Sequence, residues 1–341
     1  MDSNKQKPEV RQLNIELMRI FSMFLIVLGH VHVHYLDDRN IGGSLTSSVL
    51  SYLFPFIIFH VNLFVLISGY FGIKNPKRAF FRLLSTLLFY SLVISSVLAL
   101  SGYSIDIIRA LLPFSHGNWW FIQIYACMLP FAPLIENVVK YDRRYFYSFL
   151  IFLIIIDVYL SFIWHVDSMH NHGCDIVHFL TIYSIGVLLR NEISHIKNIE
   201  HYRYKLLFIM LLVVIVQYKM IGIDWHINIY DYNNPYSIIM AICVFCLFES
   251  LVVYNCYRWI IMFFSSSILS VYIITEHTRI RILLTEFFTT YILPQAFSYK
   301  CLATIMIFVI CTFIFCCSVD KVRIWVFKYI ERLMPILRKR I

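Results

Sequence analysis

Charged residues are scarce in this sequence. Only 14% of its 341 residues are Asp, Glu, Lys or Arg, whereas a soluble domain carries about 25%. Hydrophobic residues make up 60%, and the mean hydropathy is +0.73. That leaves too little polar surface to coat a water-soluble globule. The two soluble domains that the length alone would favour are therefore excluded.

Paired CxxC motifs, internal repeats and low-complexity tracts are also missing. The nine cysteines include the adjacent pair Cys316 and Cys317 within an apolar run, so we expect small buried hydrophobes rather than disulfides or structural zinc. The polar lead, residues 1–13, precedes an apolar stretch without a small-residue cleavage site, which predicts a retained first span. No loop is long enough to fold alone. Residues 1–341 are therefore predicted to form one membrane domain.

Long apolar segments fill the chain instead. A membrane helix needs about 20 mainly apolar residues, and this predicts an all-α integral membrane protein of about ten transmembrane helices. Their predicted ranges are 15–36, 49–70, 80–100, 118–136, 146–164, 174–190, 204–221, 235–254, 259–276 and 300–318. Residues 280–296 are apolar too, and they fit a re-entrant segment, an interfacial segment or a replacement for the ninth span.

The positive charges follow the loops of this layout. Most of the 29 Lys and Arg residues fall in segments on the side of the N-terminus, so the positive-inside rule puts both termini in the cytoplasm. The tail, residues 320–341, mixes basic and apolar side chains and predicts an interfacial helix on an anionic leaflet. The net charge of +9 thus reports topology, and no nucleic-acid partner is expected.

The first span carries the densest set of ionisable residues. Glu16 and Arg19 are three apart and can pair on one helical face. Arg19 and His30 are eleven apart, close to three whole turns, so they share a face about 16 Å apart along the axis. Arg19 can simply snorkel to the interface, or it can anchor a phosphorylated ligand. His30 can be a packed, hydrogen-bonded histidine, or it can be a proton-transfer base.

Histidines 30, 32 and 34 raise the question of a metal. Only His30 and His34 share a face, and no carboxylate pair lies near them, because Asp37 and Asp38 sit in the following loop. We therefore expect no metal site.

Other polar residues lie in or beside the remaining spans. Ser68 and Gly69 allow a close approach of helices. Trp119 and Trp120 open the fourth span, where they suit either an interfacial belt or a binding site. Asp157 lies inside the fifth span, and we expect it to bond to another helix. Glu276 and His277 fall at the end of the ninth span, on the side of His30; the role of His277 stays open.

These residues together resemble the acyltransferase-3 family of bacterial membrane O-acyltransferases, over about residues 13–320. The resemblance rests on the Arg19-to-His30 spacing within Ile-Glu-Leu-x-Arg and on the Phe-rich stretch ending Ser-Gly-Tyr at Tyr70. It also rests on the basic residues that follow, on a Trp-Phe opening at Trp120, and on a late segment from Ser270 to Glu276. Thr275 stands where such segments usually have His.

The resemblance implies an activity and a site. The donor would be acetyl-CoA, as a co-substrate, with no permanently bound cofactor, and the acceptor would be a sugar hydroxyl of a surface polysaccharide or its lipid-linked precursor. The protein would lie in the bacterial cytoplasmic membrane, among membrane lipids, and a homo-oligomer is left open. His30 and Glu276 would be the catalytic residues, and Arg19, Arg78 and Arg82 would bind acyl-CoA. Ser68, Trp120 and Tyr272 would line the substrate pocket.

Other functions fit a ten-span protein as well. A transporter or flippase of a lipid-linked sugar is the main alternative, although repeated halves and paired Gly/Pro-broken spans are missing. A polysaccharide polymerase would usually need a longer external loop. A structural or sensory membrane protein leaves the Arg19-to-His30 pairing unexplained.

Overall fold

A computed structural model describes residues 12–36, 53–117, 119–193, 202–221, 230–292 and 299–338, and these are entirely helical and irregular, without strands. The helices are α1 Leu13–His30, α2 His60–Phe71, α3 Pro76–Leu100, α4 Ile107–Leu111, α5 Pro113–His116, α6 Trp120–Met128, α7 Ala132–Tyr141, α8 Arg143–Ile154, α9 Ile176–Ile193, α10 Arg203–Ile221, α11 Pro235–Glu249, α12 Arg258–Ser265, α13 Ile268–Thr275, α14 Thr278–Phe287 and α15 Tyr299–Arg338. The predicted lead up to residue 11, Asp37 and Asp38 lie outside the described residues.

The all-helical membrane fold is confirmed. Seven described helical segments are long and apolar enough to cross a bilayer, and α2 and α11 are shorter apolar helices. Each predicted span overlaps one or two described helices, although the second is described only from residue 53 onward. The predicted segment 280–296 is described only up to residue 292, and its described part does not replace the ninth span, because α14 is a separate helix after Thr275. The count of ten and the cytoplasmic position of both termini stay predictions.

Contacts sort the helix ends into two groups, which we name the His30 end and the Arg19 end of the bundle. At the His30 end, the chain after α13 meets the end of α1. At the Arg19 end, the Asn14 side chain donates hydrogen bonds to the carbonyls of Phe248 and Glu249 at the end of α11. The sequence layout likewise predicts that the two segments of each pair lie on the same side of the membrane.

Helix α1 lies between two groups of packed helices. Its residues Ile15 and Met18 belong to an apolar core with α2, α8, α9 and α11. Its residues Met23 and Val27 belong to a second core with α3, α13 and α15. One helix therefore presents its side chains to both cores, and a cavity between the cores is lined by α1.

Two glycines allow helices α2 and α9 of the first group to pack closely. A Cβ atom on Gly69 of α2 would overlap the carbonyl oxygen of Tyr183 on α9, and one on Gly186 would overlap that of Leu66. The predicted close approach at Gly69 is therefore confirmed. Glycine is required at both positions because no larger residue lets the two backbones meet.

Asp157 forms the interhelical hydrogen bond expected of it. Its carboxylate accepts a hydrogen bond of 2.8 Å from Nδ1 of the buried His178 on α9. The Nε2 atom of His178 lies 2.8 Å from Oδ1 of Asn62 on α2. This buried chain of polar groups links three helical segments by hydrogen bonds, and it leaves Oδ1 of Asp157 without a hydrogen-bond partner among the described residues.

The C-terminal segment differs from the sequence prediction. The tail continues the last span in one helix, α15, of 40 residues and about 60 Å in length, rather than forming a separate interfacial helix after residue 320. Asp320 is fully buried on it and accepts hydrogen bonds from Tyr90, Ser270 and Arg323. These contacts bind α15 to α3 and α13, so packing extends the helix past the predicted boundary at residue 318.

Candidate active site

Two histidines and one carboxylate meet at the His30 end of the bundle. The Nδ1 atom of His30 lies 3.1 Å from Oε1 of Glu276, and Nε2 of His34 lies 3.2 Å from the same oxygen. The chain passes from α1 into a π-helical segment, Val31–Leu36, directly after His30. This segment keeps His34 beside His30, with ring centroids 5.3 Å apart. Such π-helical segments occur frequently at functional sites.

The carboxylate of Glu276 is buried, with only 4% of the residue exposed. Three basic side chains lie around this carboxylate: His30, His34 and Arg281. The guanidinium of Arg281 lies 3.6 Å from Oε2 of Glu276. The Glu276 carboxylate can therefore accept a hydrogen bond from a proton-bearing nitrogen of either imidazole.

His30 also faces a small apolar cavity, which we name the chamber. It has a volume of about 110 Å³. Its lining is Met23, Ile26, His30, His60, Val61, Phe64, Trp120, Phe121, Tyr232, Ile268, Leu269 and Tyr272. The chamber thus lies along α1 between the two cores, with His30 as one of its few polar groups.

Two of the three predicted pocket residues line this chamber. The Tyr272 ring stands 6.3 Å from that of His30, and its buried hydroxyl has no hydrogen-bond partner among the described residues. Trp120 packs against Tyr232, with ring centroids 5.4 Å apart. Ser68 does not line the chamber; its hydroxyl donates to the Phe64 carbonyl and lies 3.0 Å from the Tyr125 hydroxyl.

The adjacent residues Trp119 and Trp120 line two different cavities. Trp119 is buried, donates a hydrogen bond of 3.0 Å to the Ile273 carbonyl and packs its ring against His277. It is therefore no lipid-facing belt residue, which removes that alternative for Trp119. It lines a second cavity, of about 250 Å³, that we name the polar cavity.

The polar cavity lies next to Glu276 along the chain. Its hydrogen-bonding and charged side chains are Ser91, Ser95, Ser104, Asp106, Arg109, Trp119, His277, Thr278 and Arg279. Burial lowers the pKa of His277 to about 4, so this imidazole is neutral at pH 7. A cavity with this many hydroxyl, guanidinium and imidazole groups suits a ligand that is rich in hydroxyl groups.

Arg19 lies at the opposite end of α1 and forms the predicted ion pair. Its Nη1 atom is 2.8 Å from Oε1 of Glu16. The Arg19 side chain keeps 34% of its surface exposed, against 5% for Glu16. Since a guanidinium has five N–H donors, the pairing with Glu16 leaves donors for an anion.

Arg78 and Arg82 lie in the first two turns of α3, and both are exposed. Asn75 caps this helix by accepting a hydrogen bond from the Arg78 amide. A cavity of about 630 Å³ adjoins the same turn and is lined by Lys74, Lys77 and mainly apolar side chains. The structure thus places accessible cations at the start of α3 and shows no direct contact of Arg78 or Arg82 with Arg19.

The histidines beside Glu276 can also hold a metal. The ligand atoms of His30, His34 and Glu276 lie within 4.8 Å of one another. Two imidazoles and one carboxylate are a donor set that Zn²⁺ accepts. The expectation of no metal rested on the lack of a nearby carboxylate pair in the sequence. The fold brings one carboxylate, Glu276, to the two histidines, and the expected absence of a metal stays a prediction. The donor set therefore fits zinc as well as a hydrogen-bonded base.

Several residues of the site were missed in the sequence. His60, which is 3% exposed, and Tyr232 line the chamber, and their rings stand 6.2 Å apart. His60 stands at the start of an apolar helix, where an ionisable residue is itself a functional signal. Tyr232 carried no such signal, because it lies in a loop whose position only the fold reveals.

Comparison with known families agrees with this geometry. A family model described as an acyltransferase domain, of the acyltransferase-3 family, matches residues 12–320. The match covers most of the chain, so this protein belongs to the acyltransferase-3 family and is an acyltransferase with multiple membrane helices. No curated protein and no solved structure matches it.

Proposed function

We propose that this protein transfers an acetyl group from acetyl-CoA to a sugar hydroxyl of a surface polysaccharide or its lipid-linked precursor. The proposed location is the bacterial cytoplasmic membrane. The observation that carries the proposal is the contact of 3.1 Å between His30 and the buried Glu276 at the edge of the chamber. A neutral imidazole held by a carboxylate is a general base suited to a hydroxyl nucleophile.

The size of the chamber supports a short acyl group. Its volume is about 110 Å³, and an apolar cavity of about 150 Å³ is large enough for benzene. A thioester end carrying an acetyl group fits such a space, whereas a long acyl chain does not. The aromatic walls around His30 would also exclude water that competes with the acceptor.

Each end of α1 has its own part in the proposed reaction. Arg19, with Arg78 and Arg82, would bind the phosphates of coenzyme A, to which guanidinium groups can bond bidentately. The pantetheine arm would follow α1 toward His30, about 16 Å away along the axis. This division explains why the two residues share a face and lie at opposite depths.

The chemical step needs a base and an oxyanion donor. His30 would take the proton of the sugar hydroxyl as its oxygen attacks the thioester carbonyl, and Glu276 would hold the resulting imidazolium. Tyr272, which lines the chamber, would donate a hydrogen bond from its hydroxyl to the oxyanion. The carbon–sulfur bond then breaks, and the thiolate of coenzyme A takes the proton back from His30.

The polar cavity supports a carbohydrate as acceptor. It lies beside His277, the neighbour of Glu276, and offers hydroxyl, carboxylate and guanidinium groups around Trp119. Sugars bind through hydrogen bonds from such groups together with contact to an aromatic face. The acceptor would therefore enter from the His30 end and the donor from the Arg19 end.

The test compares cells that carry the wild-type protein, the His30→Gln variant or no copy of the protein. Their surface polysaccharide is analysed by NMR and mass spectrometry for O-acetyl groups, and the two proteins are quantified in membranes. We expect the O-acetyl signal only with the wild type. Equal acetylation in all three, with less polysaccharide exported when the protein is missing, would contradict the proposal and favour a transporter.

A further inference from the structure

A second group of histidines lies at the His30 end, apart from the chamber lining. His165, His170 and His172 follow the π-helical end of the α8 segment, and Asp231 precedes α11. Ligand atoms of His165, His170 and Asp231 lie within 4.8 Å of one another. The His170 ring centroid is 4.4 Å from that of His165 and 4.5 Å from that of His172. Four possible ligands from two chain segments thus meet at one point.

One oxygen of the Asp231 carboxylate accepts a hydrogen bond, and the other accepts none from the described residues. Asp231 is 1% exposed, and its Oδ1 atom accepts a hydrogen bond of 2.8 Å from Nδ1 of His172. Its Oδ2 atom is buried and has no hydrogen-bond partner among the described residues. A buried carboxylate oxygen without a partner is costly, so this atom points to a ligand that the protein side chains do not provide.

The tautomer of His170 directs a lone pair toward that oxygen. The Nδ1 atom of His170 lies 3.0 Å from the carbonyl oxygen of Ser161, and a carbonyl only accepts, so Nδ1 carries the proton. In this tautomer Nε2 carries the lone pair of the ring, and it lies 3.9 Å from Oδ2 of Asp231. Two electron-pair donors thus face each other, and a backbone carbonyl orients the imidazole as in many metal sites.

The backbone of the group is held in an unusual conformation. The φ angles of His165 and His172 are 47° and 53°, and no other described non-glycine residue has positive φ. Such conformations are strained and persist only where the surroundings impose them. Both of the unusual residues belong to the same histidine group.

We propose that His165, His170 and Asp231 bind a divalent cation of the zinc class, and that His172 holds the Asp231 carboxylate in position. Imidazole nitrogen donors favour Zn²⁺ over Ca²⁺ or Mg²⁺, which prefer oxygen ligands alone. Ligands at about 2.0–2.2 Å from a tetrahedral ion stand roughly 3.4 Å apart, so a small closure of these side chains completes the site. A water molecule takes the fourth position.

The ion joins the loop after α8 to the loop before α11, and its effect reaches the chamber. The backbone amide of Tyr232, the residue after Asp231, donates a hydrogen bond of 3.0 Å to the His172 carbonyl. The carbonyl of Tyr232 accepts one of 2.9 Å from Asn62. The bound ion thereby fixes the Tyr232 ring as a wall of the chamber, although metal binding itself does not rest on the proposed acetyl transfer.

The experiment measures zinc directly on the full-length protein in detergent, purified with a histidine-free tag. Every protein carries Glu276→Gln, so that the His30 and His34 donor set is disabled. After chelation and removal of the chelator, ZnCl2 is titrated calorimetrically and bound zinc is counted by mass spectrometry. We expect one zinc per chain in this parent, none in its His170→Ala and Asp231→Asn derivatives, and affinity about 10- to 100-fold weaker with His172→Ala.

Two controls keep the result interpretable. The exposed His116, which is bonded to Ser115, lies outside the group, so His116→Ala should bind zinc like the parent. The His172 side chain is 57% exposed, so His172→Ala gives an answer even where Asp231→Asn does not fold. A parent that takes up no zinc, or one zinc per chain retained in His170→Ala and Asp231→Asn, would overturn the proposal.

Discussion

His30 Nδ1 lies 3.1 Å from Oε1 of Glu276, although the two residues come from the first and the ninth predicted spans. Helix α1 packs against α13, and the chain leaves α13 directly at Glu276. The contact therefore depends on helix packing rather than on a local motif. It also turns a lone intramembrane histidine into a histidine–carboxylate pair, which is the unit that proton transfer needs.

Replacing His30 tests the base. His30→Gln keeps a polar side chain of similar size but cannot take up a proton, so kcat for acetyl transfer should fall about 10²- to 10⁴-fold. Measurements in membrane vesicles with radiolabelled acetyl-CoA and purified acceptor polysaccharide give this value. His116→Gln, on an exposed short helix, should keep wild-type kcat. A His30→Gln variant that turns over within twofold of the wild type would remove the proposed role.

Glu276 should matter for kcat rather than for donor binding. Glu276→Gln retains the shape but loses the charge that stabilises the imidazolium, and such losses cost up to about 10⁴-fold in a histidine–carboxylate pair. We expect kcat to fall by at least about 10²-fold with the KM for acetyl-CoA nearly unchanged. If KM rises while kcat holds, Glu276 binds substrate and the orienting role is wrong.

The cations at the other end should act through the phosphates of the donor. A charge-assisted hydrogen bond contributes about 1.5–3 kcal/mol, so Arg19→Ala should raise the KM for acetyl-CoA about 10- to 100-fold. Arg78→Ala and Arg82→Ala should raise it less, because both side chains are exposed. With acetyl-pantetheine, which lacks the nucleotide phosphates, the same variants should match the wild type.

A matched control for these variants is Arg144→Ala. Arg144 is an exposed cation at the start of α8, on the same predicted side of the membrane but with no role in the proposal. Its KM for both donors should equal that of the wild type. An Arg19→Ala defect of the same size with acetyl-pantetheine would show that Arg19 acts on structure and not on phosphate.

Local patterns predicted those parts of the molecule that depend on one helix at a time. Hydropathy gave the positions of the helices, and helical periodicity gave the Glu16–Arg19 pair and the shared face of His30 and His34. The C-terminal end of α15 was predicted too early, at residue 318, because hydropathy falls at Asp320 and Lys321. Hydrogen bonds from α3 and α13 compensate for the charge of Asp320, and Lys321 donates hydrogen bonds to α12 and to the turn after it. No periodic signal along one segment reveals such compensation.

The residues that line the chamber could also be predicted only in part from the sequence. Trp120 and Tyr272 could be predicted from the sequence because the resemblance to a family pointed to them. Tyr232 and His60 come from a loop and a helix that are distant in sequence, and only tertiary packing brings their rings 6.2 Å apart. Ser68 was assigned to the pocket from its motif, but its hydroxyl bonds within α2 and toward Tyr125.

Helix α2 carries residues that line the chamber. Its close contact with α9 can be tested by adding a single methyl group at Gly69. A Cβ at Gly69 would overlap the Tyr183 carbonyl oxygen, and rigid backbone cannot yield as a flexible side chain does. Gly69→Ala should therefore destabilise the protein by about 1–3 kcal/mol or more, seen as a lower midpoint of thermal unfolding in detergent. Gly102→Ala is the matched control, because no described atom lies within 4 Å of its added Cβ and only its φ of 86° opposes the change. That backbone strain costs on the order of 1–2 kcal/mol, so a Gly69→Ala shift no larger than the Gly102→Ala shift would contradict the close packing of α2 on α9.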